Sequence, residues 1–146
     1  MAGKTSSAGF SAEEKAAMKQ RAAELKAQAK GAKGEEDVLA AIRKLEGTDH
    51  VLATKIHELV RTHAPHLGPK TFYGFPAYAN EKGKVVIFYQ PASKFKTRYG
   101  TLNFDEPAQL DDGPMWATSF AVLEITPDVE ARIVELIKRA APAPAA

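Results

Sequence analysis

Beyond Gly34 the hydrophobic positions follow first a helical period and then a strand period. Val38, Leu39, Ile42 and Leu45 share one face behind the acidic turn Glu35, Glu36, Asp37, which predicts a helix over about 35–46 stopped by Gly47. Leu52, Ile56, Leu59, Val60 and His63 recur opposite Lys55, Glu58 and Arg61, predicting a second helix from Thr48 or Asp49 to just before Pro65. The two form a short antiparallel pair. Between Lys70 and Ile125 the chain turns β-branched and aromatic, cut by Gly and Pro, and strands are predicted near 71–74, 77–80, 84–90, 98–104 and 116–125. Gly74 and Pro76 read as turn residues, and Glu81-Lys82-Gly83 as a hairpin turn. The continuous run Val85–Tyr89 is expected of a central strand covered on both faces. Asp105 to Met115, with two prolines and four acids, reads as an exposed loop. A last helix is expected behind Thr126 and Pro127, burying Val129, Ile133, Leu136 and Ile137 and ending at Ala141.

The segment before Gly34 differs. Ser11 and Glu14 make a capping box, and strong helix formers run from Ala12 to Lys30. Met18 and Leu25 are its only large apolar residues, a stripe too thin for a core helix. The expected organisation is a tail and charged helical extension over 1–33, an α+β domain over 34–141, and a disordered tail over 142–146. Residues 1–9 are also expected to be disordered. The fold class is α+β: an antiparallel sheet of about five strands packed against helices on one face, with an N-terminal helical extension.

Composition narrows the chemistry. With 146 residues and 45% apolar content, one ordinary domain with a real core is expected. There is no cysteine, which excludes disulfides and thiolate chemistry and fits a reducing compartment. No apolar run suggests a leader or a membrane span, so a cytoplasmic protein is expected. Net charge is +2 but unevenly spread: residues 1–34 hold seven basic and three acidic groups, 69–104 six and one, and 105–146 three and eight. A dedicated nucleic-acid binder is usually more basic overall.

No catalytic motif is recognisable. The histidines His50, His57, His63 and His66 lack the spacing of a zinc site and read as structural. The acidic clusters lie mostly at helix starts or in a loop, where the helix dipole or solvation accounts for them. Sequence leaves open an acid–base pair formed by His57 or His63 with Tyr73, should a pocket join them. The segment Thr71–Phe104 alternates basic and aromatic residues, a combination able to cradle an anion or a planar group. Its candidate ligand-binding residues are Tyr73, Tyr78, Lys84, Lys94, Lys96, Arg98 and Tyr99. On the alternative reading the aromatics fill the core and the cations guard a sheet edge.

The same segment resembles the YdhG-like domain family, small bacterial proteins mostly of unknown function. The carrying residues are Tyr73-Gly74-Phe75-Pro76-Ala77-Tyr78, Gly83-Lys84-Val85, and Lys94-Phe95 leading to Tyr99, with Leu59, Val60 and Pro65 before them. The resemblance spans roughly 38–140 and implies an α+β domain with an antiparallel sheet. One member of the family is regarded as a frataxin-like iron chaperone, a role that rests on acidic helix surface. Here the third helix offers Asp49 and Glu58, and the second Glu35, Glu36 and Asp37. The expectation is a non-enzymatic binding module without a cofactor, for a small anionic ligand or a protein partner. The alternative is an iron-handling protein using surface carboxylates. A monomer, or a weak dimer through Met18 and Leu25, is expected.

Overall fold

The computed structural model describes residues 11–29 and 34–144. Along them run α1 (Ala12–Ala29), α2 (Gly34–Arg43), α3 (Gly47–His63), β1 (Gly68–Phe72), β2 (Phe75–Ala79), β3 (Val85–Gln90), β4 (Gly100–Phe104), β5 (Ser119–Val122) and α4 (Pro127–Ala140). A short 3-10 turn, Ala92–Lys94, follows β3. The strands form an antiparallel meander in chain order, with β3 at the centre and β1 and β5 at the edges. The α+β class and five-stranded sheet are as expected. No helix among the described residues is long and apolar enough to cross a membrane.

Cross-strand partners share a face of the sheet. Tyr78, Ile87 and Phe104 oppose one another, as do Tyr89 and Leu102, and all are buried in one core with Val38 and Ile42 of α2, Leu52, Ile56 and Val60 of α3, and Ile133 and Ile137 of α4. The register shifts between Tyr78 and Ala79, making Val86 the extra residue on β3, and Val86 joins the same core as Ile87. On the other face Phe72, Phe75 and Phe88 pack ring to ring, with centroids 5.4–5.9 Å apart. There α1 meets β1 through Arg21, whose guanidinium lies 5.1 Å from the Phe72 ring centre. Of the expected stripe, Met18 is exposed, and the Leu25 side chain lies outside the described ones.

The capping box forms: the Glu14 amide donates to Ser11 Oγ at 3.0 Å, and the Ser11 amide to Glu14 Oε1 at 2.8 Å. Thr126 caps α4 as expected, with Pro127 in its first turn. Other boundaries move. Tyr73 (φ 52°) and Gly74 (φ 87°) form a two-residue turn, so β1 and β2 start earlier than predicted. Pro76 is not a turn residue; it is buried within β2, opposite Thr71, just before the β2–β3 ladder begins at Ala77. Its missing N–H interrupts no bond there. α2 ends at Arg43, and Gly47 opens α3 instead of ending α2. The Asp105–Met115 loop is not wholly exposed: Ala108 and Leu110 are buried, and the Gln109 amide donates to the Ala140 carbonyl at 2.9 Å. β5 covers only part of 116–125. The expected disordered residues 1–9 lie outside the described ones, whereas Pro142–Pro144 lie within them.

One close approach fixes how α2 meets the sheet. A Cβ added at Gly34 would stand 1.9 Å from the Pro69 carbonyl oxygen, and backbone cannot yield as a side chain can. Gly34→Ala is therefore expected to destabilise the protein by about 1–3 kcal/mol in urea unfolding. A variant as stable as wild type would contradict this packing.

Candidate functional site

The 3-10 turn after β3 is held from the opposite layer. Asp49, Leu52, Ala53 and Ile56 occupy one buried stripe of α3, so a carboxylate stands where the period calls for an apolar side chain. Its oxygens accept the amides of Ala92 (3.2 Å) and Ser93 (3.1 Å), together with the Ser93 hydroxyl. Pro91, the residue capping this turn, offers no side-chain hydrogen bond of its own. Asp49 supplies the missing acceptor from a distant part of the chain. Beyond the turn, the Thr97 amide donates to the Ala92 carbonyl at 3.0 Å and its hydroxyl to the Tyr99 carbonyl at 2.9 Å. Lys96 is held at φ 57°, a conformation that is strained for a residue with a Cβ.

The candidate residues divide into groups. Tyr73, at the β1–β2 turn, contacts Phe72 and Phe75 (centroids 4.7 and 6.5 Å). Lys94 reaches the same turn: its Nζ lies 2.5 Å from where a Gly74 Cβ would stand, and it donates to Gln20 Oε1 at 3.5 Å. Phe95 leans on Phe75 (6.3 Å) with 44% of its surface exposed. Lys96 and Arg98 continue the exposed loop, and the Arg98 guanidinium lies 5.1 Å from the centre of the half-buried Tyr99 ring. The fold thus brings Tyr73, Lys94 and Phe95 together around Phe75. Lys84 sits instead in the β2–β3 turn, lining a pocket of about 340 Å³ with Arg21, Phe72, Asp105 and Glu106, where two carboxylates offset its charge.

Tyr78 leaves the set altogether. It is fully buried on the helix side of the sheet, where its hydroxyl donates to His57 Nδ1 at 2.8 Å. His57 Nε2–H donates to Glu35 Oε2 at 2.7 Å, and Arg61 Nε stands 2.9 Å from Glu35 Oε1 as an ion pair. The carboxylate fixes the tautomer, leaving Nδ1 as acceptor. This relay ties α2, α3 and β2 together, and its phenol is shut away from solvent. The pairing of His57 or His63 with Tyr73 does not form, because Tyr73 lies with the aromatic cluster on the other face. Among the described residues no group of three His, Asp or Glu side chains could hold a metal ion.

Asp49 and Phe95 carry this site, and neither is among the candidate ligand-binding residues read from the sequence. Asp49 could have been noticed as an acid inside an apolar stripe; nothing in the sequence pointed to Ser93 as its partner. Comparisons with protein-family models, curated proteins and solved structures found no match for the chain.

Asp49→Ala is expected to cost about 2 kcal/mol, since two part-buried amides and the Ser93 hydroxyl lose a charged acceptor, and Asp49→Asn to cost less, because one oxygen still accepts. Equal stability of wild type and Asp49→Ala in urea unfolding would contradict the anchoring role. Two phenols give a pH dependence. Burial, then the charge of Glu35, pushes Tyr78 far above the ordinary value of 10.0, with Arg61 opposing; burial, then Asp49, raises Tyr89. Both stay protonated in the folded protein at a pH where the unfolded chain ionises. Their contribution is complete below about pH 10 and falls on further alkalinisation by about 1.4 kcal/mol per pH unit for each tyrosine. Tyr78→Phe should reduce that slope in alkaline unfolding measurements; an unchanged slope would contradict the assignment.

Proposed function

We propose that this protein is a non-enzymatic binding module that docks an acidic protein partner on the loop carrying Lys94, Phe95, Lys96 and Arg98, beside Tyr73 and Tyr99. The observation that carries the reading is a single exposed ring on an anchored basic loop. Phe72, Phe75 and Phe88 satisfy one another in the outer cluster, whereas Phe95 touches Phe75 and keeps 44% of its surface exposed. Aromatic and arginine side chains on a rigid support suit an interface hot spot.

Magnitudes favour a protein over a small anion. Lys94, Lys96 and Arg98 are all exposed, and an exposed ion pair contributes only about 0–1 kcal/mol. Burying Phe95 under a partner would add up to about 2 kcal/mol that an anion cannot supply. Lys96, strained yet solvent-facing, fits a loop shaped for contact. Support also comes from the contact between the two segments that carry the YdhG-like resemblance, Tyr73–Tyr78 and Lys94–Tyr99, through Phe75 and Phe95. No comparable observation favours the iron-handling alternative: Glu35 is engaged by His57 and Arg61, and Asp49 by the turn after β3.

An array of acidic peptides, with and without aromatic residues, tests the proposal. Wild type should bind acidic peptides that bear an apolar anchor, and Phe95→Ser and the Lys94→Ala/Arg98→Ala pair should each weaken binding about tenfold or more. Binding that survives both variants, or no binding at all, would defeat it. Phosphate or sulfate raising the melting temperature of wild type but not of the double variant would favour a small anion instead.

A further inference from the structure

The two edges of the sheet are built differently. β1 carries Pro69 and Lys70, and α2 closes on it so tightly that Gly34 meets the Pro69 carbonyl. Proline, lysine and a covering element are established ways of keeping an edge from pairing. β5 has no proline or lysine, and residues 113–123 (Gly-Pro-Met-Trp-Ala-Thr-Ser-Phe-Ala-Val-Leu) include no charged side chain.

The β4–β5 ladder tells which groups this edge offers. Leu102 opposes Phe120, Gly100 opposes Val122, and the Phe104 amide donates to the Thr118 carbonyl at 2.8 Å. Main-chain groups alternate in direction along a strand, so Thr118, Phe120 and Val122 face β4. The N–H and C=O groups of Ser119, Ala121 and Leu123 then face outward. Among the described residues no main-chain hydrogen bond engages them. Exposed apolar side chains gather around this edge. Of the seven large exposed hydrophobics among the described residues, Met115 (85%) and Trp116 (39%) lead into β5 and Leu123 (61%) follows it, while Val51 (63%) lines a groove of about 700 Å³ with Leu123.

We propose that β5 pairs antiparallel with β5 of a second copy of this chain, about a two-fold axis normal to the sheet at Ala121. An open edge selects an extended strand, and this one matches itself. Centring on Ala121 lets that residue exchange both main-chain bonds with its copy and sets Ser119 opposite Leu123 on each side. The small side chain on the axis leaves room for its twin, and an uncharged strand does not repel itself. The contact is isologous and closes at two copies. With β1 guarded, the joined sheets have no second open edge from which to grow into a fibre. The inference rests on β5 alone and is independent of the docking role of the 94–99 loop.

Sedimentation of the full chain at about 100 μM, a concentration suited to a small interface, provides the test. Wild type should sediment with twice the 15.8 kDa chain mass and dissociate on dilution. Ala121→Pro removes an outward N–H without touching the β4 ladder, and Ala121→Lys sets like charges together on the axis. Both should sediment as single copies while keeping the wild-type melting temperature; should the proline variant fail to fold, the lysine variant decides. A wild type that stays a single copy at this concentration overturns the proposal, as does association of folded Ala121→Lys equal to that of wild type.

Discussion

One buried carboxylate sets the relation between the helical layer and the loop that the sheet presents. Asp49 stands on the core-facing stripe of α3 and spends its oxygens on the Ala92 and Ser93 amides and the Ser93 hydroxyl. A carboxylate buried without donors costs several kcal/mol, and the part-buried amides of the turn lose their acceptor without it. Each side therefore needs the other. The interaction joins residues more than forty positions apart, which makes the turn after β3 a property of the whole fold and not of its local sequence.

This anchoring explains a division of labour between the faces of the sheet. The inner face buries Tyr78 and Tyr89 under three helices, and the Glu35–His57–Tyr78 relay spans α2, α3 and β2, running from the half-exposed Glu35 carboxylate to the fully buried phenol. Its groups have the types used in acid–base chemistry, but their arrangement serves as a strut. On the outer face the phenylalanine cluster packs on itself. α1 reaches it by Arg21 over the half-buried Phe72 ring, a contact worth about 1 kcal/mol, and by Gln20 at Lys94. The recognition surface proposed above belongs to the outer side and to the loop at its end.

Much of this was legible in the sequence where one local rule decided the outcome. The helical stripes of α2, α3 and α4, the capping box at Ser11 and the run of β3 followed from periodicity and caps. Strand boundaries were legible only in part: Gly74 marked the β1–β2 turn, but Tyr73 at positive φ and Pro76 inside β2 depend on the register of three strands. Tyr78 and Tyr73 look alike in sequence, five residues apart, yet the turn between β1 and β2 sends them to opposite faces. Asp49 is the clearest case of a broken local rule marking a tertiary partner. An acid at a helix start is readily assigned to the dipole, and only its place in the apolar stripe hinted that something buried would meet it.

Amide hydrogen exchange at Ala92 and Ser93 in the wild-type protein tests the central claim most directly. If Asp49 holds this turn against the core, both amides should exchange about as slowly as those inside β3, and only with cooperative opening of the domain. Exchange as fast as that of the exposed amides from Lys96 to Arg98 would mean that the turn opens freely. The anchored loop, and the recognition surface built on it, would then be contradicted.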